Sequence, residues 1–394
     1  MNPLNFRIDN DELIIRLDGR LDSRNARQFG TDINELVSAH PGKPVILDCE
    51  NLELISSAGL RTVLQLKQSV NDVKLVNVNP TVFDVLQNTG FTEIMEVQRA
   101  YRVFSVKGCE EIGQGANGVV YRYDEDTIVK SFRNPDSLPE IQRERELART
   151  AFVLGIPTAI SYDVVRLEDG GYGAVYELLN AKSYIKVLIS GEKSLDELVR
   201  MSVDLLRIIH SRQVKPETMP DMLGTAMRWV NDVRPLLTPG EFEKLKGLVE
   251  TVPRDMHLLH GDYHFKNIML QDTESLLIDM DTLCYGHPIF ELAAMFNAYR
   301  GFSETNPEES VRFLGIPAET AAEIWDKSLR LYMNGADEAT IRTVEQKAML
   351  IGHMRIMGRG LRKKLMDNPY DRGICENSHR RVSELLPVVD SLTF

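Results

Sequence analysis

The sequence predicts two folded parts in tandem: an α/β layer domain over residues 1–100 and a larger α+β part over residues 101–394. Three observations predict this. Apolar spacing in the first part switches repeatedly between period two and helical period, the pattern of strands alternating with helices around a largely parallel sheet. The second part opens with a glycine-rich run between strands, followed by a strand carrying a lone lysine, at residues 112–132. Further on, a run rich in His, Asp and Asn at residues 260–267 precedes a short apolar strand and another Asp at 279.

In the first part, Leu13, Ile15 and Leu17 alternate as in a strand, and Ala26, Phe29, Ile33 and Leu36 follow helical spacing. Val45, Ile46 and Leu47 read as a buried strand, Leu60, Val63 and Leu64 as a second helix. Residues 73–78 form another strand, and Val82, Val85 and Leu86 a third helix, stopped at Gly90. Between the buried strand and the second helix lies Leu54-Ile55-Ser56-Ser57-Ala58-Gly59-Leu60-Arg61. Serine at a helix start caps orphan N–H groups, and a helix start also favours a phosphate.

The second part begins near residues 98–103, with no Pro/Gly/Ser-rich linker, so the two parts are expected to adjoin closely. Residues 102–112, 119–123 and 127–132 read as strands. The run Ile112-Gly113-Gln114-Gly115-Ala116-Asn117-Gly118-Val119-Val120-Tyr121 has the form G-x-G-x-x-G-x-V. Glycines let backbone approach a triphosphate, and Lys130 on the third strand suits its phosphates. Residues 141–154 read as a helix from Leu147, Ala151 and Leu154, on which Glu144 or Glu146 can pair with Lys130. Residues 194–211 read as a further helix, with Ser194 and Glu197 as its capping box. Residues 307–386 form a long helical remainder.

The segment His260-Gly261-Asp262-Tyr263-His264-Phe265-Lys266-Asn267, followed by Leu276-Leu277-Ile278-Asp279, is the set that phosphoryl transfer needs. One carboxylate orients a hydroxyl and takes its proton, while an amide and a second carboxylate hold magnesium on nucleotide phosphates. In the form H-G-D-x-H-x-x-N it resembles the aminoglycoside phosphotransferase and choline kinase branch of the protein-kinase-like fold. The resemblance spans roughly residues 105–300 and implies a bilobal α+β domain, with an N-lobe over about 101–180 and a C-lobe over about 181–394.

Carried over residue by residue, the resemblance implies a nucleotide site of Gly113, Gly115, Gly118, Val120, Lys130 and Glu144, the glutamate favoured by its Arg-Glu-Arg-Glu context. A hinge at Tyr176, Glu177 and Leu178 would meet adenine, with Val175 gating the pocket. Asp262 is the implied catalytic base, and Asn267 and Asp279 the magnesium ligands. Asp281 stands where choline kinase relatives carry a second acid, His260 braces the loop, and His264 positions substrate or is a buried core histidine. Glu291, where many members have Asp, is expected to brace the same loop. ATP and Mg2+ are the implied cofactors.

The first hundred residues resemble the STAS domain family of the anti-anti-sigma factor type. The likeness includes Leu17-Asp18-Gly19-Arg20-Leu21-Asp22, the Ser56-Ser57 helix start and Asn88-Thr89-Gly90-Phe91. It implies a regulatory phosphoacceptor at Ser57, although the residue before it is Ser56 where many members carry Asp. The bland reading is that both serines only cap the helix. A regulatory protein partner is implied for this domain.

Composition excludes other classes. With 43% hydrophobic and 26% charged residues the chain is of ordinary globular type. A net charge of −12 argues against nucleic acid as the main partner, and it would suit a cationic substrate. Cys49, Cys109, Cys284 and Cys375 are scattered without metal-ligand spacing. The start has no apolar signal core and no run is long enough for a bilayer, so a reduced cytoplasmic protein without a membrane partner is expected.

The segment from Asp279 to Glu291 is short for docking a peptide, which favours a small-molecule hydroxyl or amine acceptor. Ser57, on this chain or a partner STAS domain, is the alternative acceptor. A nucleotide-binding regulator without turnover is the third reading, although Lys130, Asp262, Asn267 and Asp279 are all present. Arg355, Arg359 and Arg362 share one helical face that would receive an acidic or phosphorylated group, or would balance acidic neighbours in solvent.

Overall fold

The computed structural model describes residues 4–115 and 118–394; Ala116 and Asn117, within the glycine run, lie outside the described residues. The chain divides into two compact units, Met1–Lys107 with Val164–Tyr172, and Gly108–Asp163 with Gly173–Phe394.

The first unit is built on a five-stranded sheet of β1 (Asn5–Asp9), β2 (Glu12–Leu21), β3 (Val45–Ile55), β4 (Val73–Val78) and β5 (Glu96–Arg99), in that order. β1 is antiparallel to β2 and the other pairs are parallel. Asn10 and Asp11, both with positive φ, make the β1–β2 turn, a conformation these two residue types tolerate. Leu13, Ile15 and Leu17 alternate into the core, joined there by Phe29 and Ile33 of α1 (Ala26–Ala39) and Val63 and Leu66 of α2 (Ser57–Ser69). Val82 and Leu86 of a third helix, α3 (Pro80–Asn88), complete it. β1 is exposed along its length and β5 has only four residues, so neither carries a buried alternation legible in the sequence.

The span 102–112 is not one strand. Val103–Phe104 pairs in parallel with Asp163–Leu167, whereas Glu110–Gln114 pairs antiparallel with Gly118–Arg122, and Gly108 at φ +83° lies between the two short strands.

In the second unit the strands Glu110–Gln114, Gly118–Arg122, Thr127–Phe132 and Tyr172–Glu177 pair antiparallel. The register sets Val120 and Ala174 on either side of Lys130. The helix Leu138–Val153 follows the lysine strand. The helix Leu195–Ser211 starts at Ser194, whose capping box with Glu197 is fully formed. Its Val203, Leu206 and Ile209 join one large core with the helix Ile289–Tyr299, which is buried at almost every position. The long helix Glu338–Arg362 packs along Ile289–Tyr299. Among the described residues, no helix is long and apolar enough to cross a membrane.

Candidate active site

The lysine strand supplies the first half of the site. Lys130 Nζ donates to both oxygens of Glu144, at 2.9 and 3.0 Å, and to Asp279 Oδ1 at 3.0 Å. Glu144 therefore meets the lysine, while among the described residues Glu146 bonds only through its helix backbone. Burial alone would push the Lys130 ammonium down, but the carboxylates of Glu144 and Asp279 outweigh it and raise its pKa.

Strand parity decides which side chain stands beside the lysine. Directly opposed residues share a face and alternate residues return to it. Tyr176, two positions after Ala174, shares the face of Lys130, and its hydroxyl donates to Glu144 at 3.3 Å. Burial, then the Glu144 carboxylate, raises the Tyr176 phenol far above its ordinary value. Val175 pairs with Val129 on the opposite face, and both are buried. The side chain that stands on the lysine's face is thus Tyr176 rather than Val175. The Leu178 N–H is already bonded to the Asp126 carbonyl at 2.7 Å, so that donor is taken within the protein.

The second half of the site is the loop after the strand Leu258–Leu259. Glu291, wholly buried, accepts hydrogen bonds from the N–H groups of His260 and Gly261, the latter at 3.0 Å. Gly261 has φ +82°, and a Cβ there would sit 2.5 Å from the Thr282 carbonyl oxygen, so only glycine fits. His260 is wholly buried, its Nε2 3.2 Å from the Ile278 carbonyl, and Thr282 donates to its carbonyl at 2.8 Å. Tyr263 donates to the Ser202 carbonyl at 2.6 Å, and Tyr299 accepts from the Phe265 N–H at 2.9 Å. Ser202 and Tyr299 come from helices remote in sequence, and no spacing rule announced them.

Held this way, Asp262 keeps its side chain 38% exposed. The Asn267 amide donates to the Asp262 carbonyl at 3.0 Å and lies 3.4 Å from its carboxylate. His264 Nε2 stands 3.4 Å from the same carboxylate without hydrogen-bond geometry, its ring edge-on to Phe313. Burial opposes the charge on Asp262, but His264, Arg355 and His260 outweigh it and hold the carboxyl well below the usual range.

Asp279, at φ +63°, follows the strand Glu274–Leu277, and the Ile278 N–H bonds the Asn267 carbonyl at 3.1 Å. This ties the Asn267 and Asp279 segments together. Burial, then the Asp279 and Glu144 carboxylates, push Asp281 up to about 7. Excess negative charge of this kind, with hard oxygen donors on Asn267, Asp279 and Asp281, fits magnesium. Among the described residues, no cluster of three or more His, Cys, Asp or Glu side chains is arranged to hold a metal. A magnesium site completed by substrate phosphates does not require one.

The glycines of the first hairpin differ. A Cβ on Gly118 would lie 1.9 Å from the Ser131 carbonyl oxygen, so that glycine is needed by the fold. A Cβ on Gly115 would meet nothing, and one on Gly113 would only touch Val120 at ordinary distance. Among the described residues, no neighbouring atom requires glycine at 113 or 115.

The profile of the phosphotransferase enzyme family matches residues 108–323, more than half of the chain. The chain belongs to this phosphotransferase family. The STAS domain profile matches residues 4–104. A Bordetella bronchiseptica protein named as an anti-sigma factor antagonist, BtrV, is 37% identical over 89 residues, 22% of this chain and 76% of that one. The chain is therefore a STAS domain followed by a phosphotransferase-family domain of protein-kinase-like fold. Among solved structures, the GDP complex of a mutant aminoglycoside 2'-phosphotransferase IIIa has 13% identity and TM-score 0.49, covering 77% of this chain and 97% of that one. A choline/ethanolamine kinase family protein from Mesorhizobium loti has 14% identity and TM-score 0.47, covering 71% and 87%.

In the STAS unit of this phosphotransferase-family chain the two serines divide their roles. Ser56 is the N-cap, accepting from the Ala58 and Gly59 N–H groups. Ser57 is the first helical residue and is exposed, and among the described residues its hydroxyl makes no hydrogen bond. Elsewhere, a shallow cavity of about 400 Å3 lined by Arg207, His210 and Tyr332 includes none of the site residues above. All four cysteines are free thiols, and burial pushes Cys49 up to about 12.

Proposed function

We propose that the chain transfers the γ-phosphoryl group of ATP, with magnesium, to a hydroxyl or amine of a small molecule, and that the STAS domain regulates this or binds a protein partner. The observation that carries the reading is the meeting of Lys130, Glu144 and Asp279 at 2.9–3.0 Å, together with Asp262 anchored to Asn267. Lys130 pairs with the nucleotide phosphates. The backbone at Gly113 and Gly115 lies against them, which gives a reason for glycine where the fold needs none. Asn267, Asp279 and Asp281 hold the magnesium, which neutralises phosphate charge when bound. Tyr176 closes the back of the nucleotide site, and adenine pairs with the backbone of Glu177 and Leu179, because the Leu178 N–H is taken.

Asp262 orients the acceptor for in-line attack. The acceptor oxygen forms a bond to the γ-phosphorus, and its proton passes to Asp262. The bond from phosphorus to the bridging oxygen breaks, and its electron pair leaves with ADP. Asp262→Asn is expected to lower turnover at least about 100-fold while Mg-ADP still binds. Near-normal ADP release by that variant would remove Asp262 from the role.

A second reading has its own observation, the exposed and uncommitted Ser57 hydroxyl at a helix start. Intact-mass and phosphopeptide mapping after incubation with Mg-ATP, beside Asp262→Asn, separates the two. Phosphate on Ser57 only in the unaltered protein means a serine kinase acting on a STAS domain. A clean Ser57 beside ADP release with an added metabolite means the small-molecule enzyme.

A further inference from the structure

The long helix Glu338–Arg362 presents two arginine–aromatic pairs one turn apart beside the catalytic loop. Arg355 donates to the Gly261 carbonyl at 3.0 Å, next to Asp262, with its guanidinium 5.3 Å from the Trp229 ring centroid. Arg359, one turn on, lies over Phe302 at the same 5.3 Å. Positions four apart on a helix are neighbours on one face, about 5–6 Å apart. We infer that the phosphate acceptor carries an anionic group, a carboxylate or phosphate, which Arg359 and Arg355 hold while the reacting hydroxyl faces Asp262. This deepens the phosphotransferase reading above and rests on it.

Charge decides against a merely solvated face. The chain has 58 acidic residues against 46 basic ones, so an exposed arginine has carboxylates in excess to pair with. Arg362, the third member of the face, does so, with Asp232 at 2.6 Å. Among the described residues, neither Arg355 nor Arg359 meets a carboxylate within ion-pair distance, and both instead lie over aromatic rings. Stacking fixes the guanidinium plane and leaves its edge N–H donors for a planar or tetrahedral oxyanion. Arg359 is exposed, and Arg355, Trp229 and Phe302 are half-buried, so the pairs are open to solvent and to a ligand rather than sealed in the core. The positive charge of Arg355 is also among the influences that keep Asp262 ionised. A cationic acceptor, which the overall charge of −12 would suit, would meet like charge here.

Binding by the full chain in saturating Mg-ADP tests this, by calorimetry with 3-phosphoglycerate, glycerol 3-phosphate and glycerate against glycerol, choline and an acidic peptide. The anionic small molecules should bind in preference to glycerol and choline. Arg359→Gln should weaken their binding about 10- to 100-fold, the loss of a charge-assisted contact, and Arg359→Lys should weaken it less. Equal or tighter binding of choline or glycerol, no binding of any anionic small molecule, or anion binding unchanged in Arg359→Gln would each overturn the inference. So would preference for the acidic peptide. Titration of Mg-ADP alone into the same protein addresses the parent reading separately: no nucleotide binding there would sink the kinase assignment, whatever the arginines do.

Discussion

Lys130 and Asp279, 149 positions apart, meet at 3.0 Å. The lysine also holds Glu144, so the contact joins the strand Thr127–Phe132, the helix Leu138–Val153 and the segment after the strand Glu274–Leu277. Because Lys130 keeps Glu144 when Asp279 is neutralised, Asp279→Asn should leave the fold intact. It should weaken Mg-ADP binding about 10- to 100-fold, as expected on losing a carboxylate ligand. Isothermal titration across magnesium concentrations measures this, and an unchanged magnesium dependence would remove Asp279 from the ligand set.

Gly115 and Gly118 make an internal contrast. Gly118→Ala drives a Cβ into the Ser131 carbonyl and should cost on the order of 1–3 kcal/mol of stability. Gly115→Ala meets only open space, so thermal unfolding should hardly move while Mg-ADP affinity falls. Equal affinity in Gly115→Ala would mean that no phosphate lies against that backbone.

Glu291 is a buried carboxylate that accepts from two backbone N–H groups of the loop at Asp262, with His210 Nε2 3.9 Å away. Glu291→Ala orphans those donors and should cost on the order of 2–4 kcal/mol. Turnover should fall as well, because the position of Asp262 depends on that loop. Glu291→Asp, the shorter acid, should recover part of both. A variant with wild-type chemical stability would show that water replaces the carboxylate without penalty.

Glu304 provides a pH signature. Burial raises its pKa, but His353, Asn377 and Arg381 outweigh this and hold it at about 2. A folded-state pKa below the unfolded value of 4.5 means that the charged form stabilises the fold. Its contribution is fully present above pH 4.5 and is lost as pH falls toward about 2. Glu304→Gln should therefore narrow the stability difference from the unaltered protein progressively below pH 4.5. A difference that stays constant from pH 6 to pH 3 in denaturant titrations would contradict the assignment.

Local chemistry was legible in the sequence. Alternating periods marked β2, β3, β4 and the first three helices of the STAS unit, because burial on one face imposes that spacing. The 260–267 run stood out because Gly261, Asp262 and Asn267 are near neighbours along the chain, and Asp279 because it follows a short apolar strand. The exposed β1 and the four-residue β5 carry no such pattern, and the break at Gly108 interrupted what read as a continuous strand. Strand parity also resisted reading. Whether Val175 or Tyr176 faces Lys130 depends on which residue pairs with which across two strands, and a shift of one reverses the answer. The same holds for Arg355, whose bond to the Gly261 carbonyl spans 94 positions and follows from helix packing alone. Sequence by itself determined which chemistry these residues can do; only tertiary structure decided which of them stand together, because long-range packing and register leave no mark in local spacing.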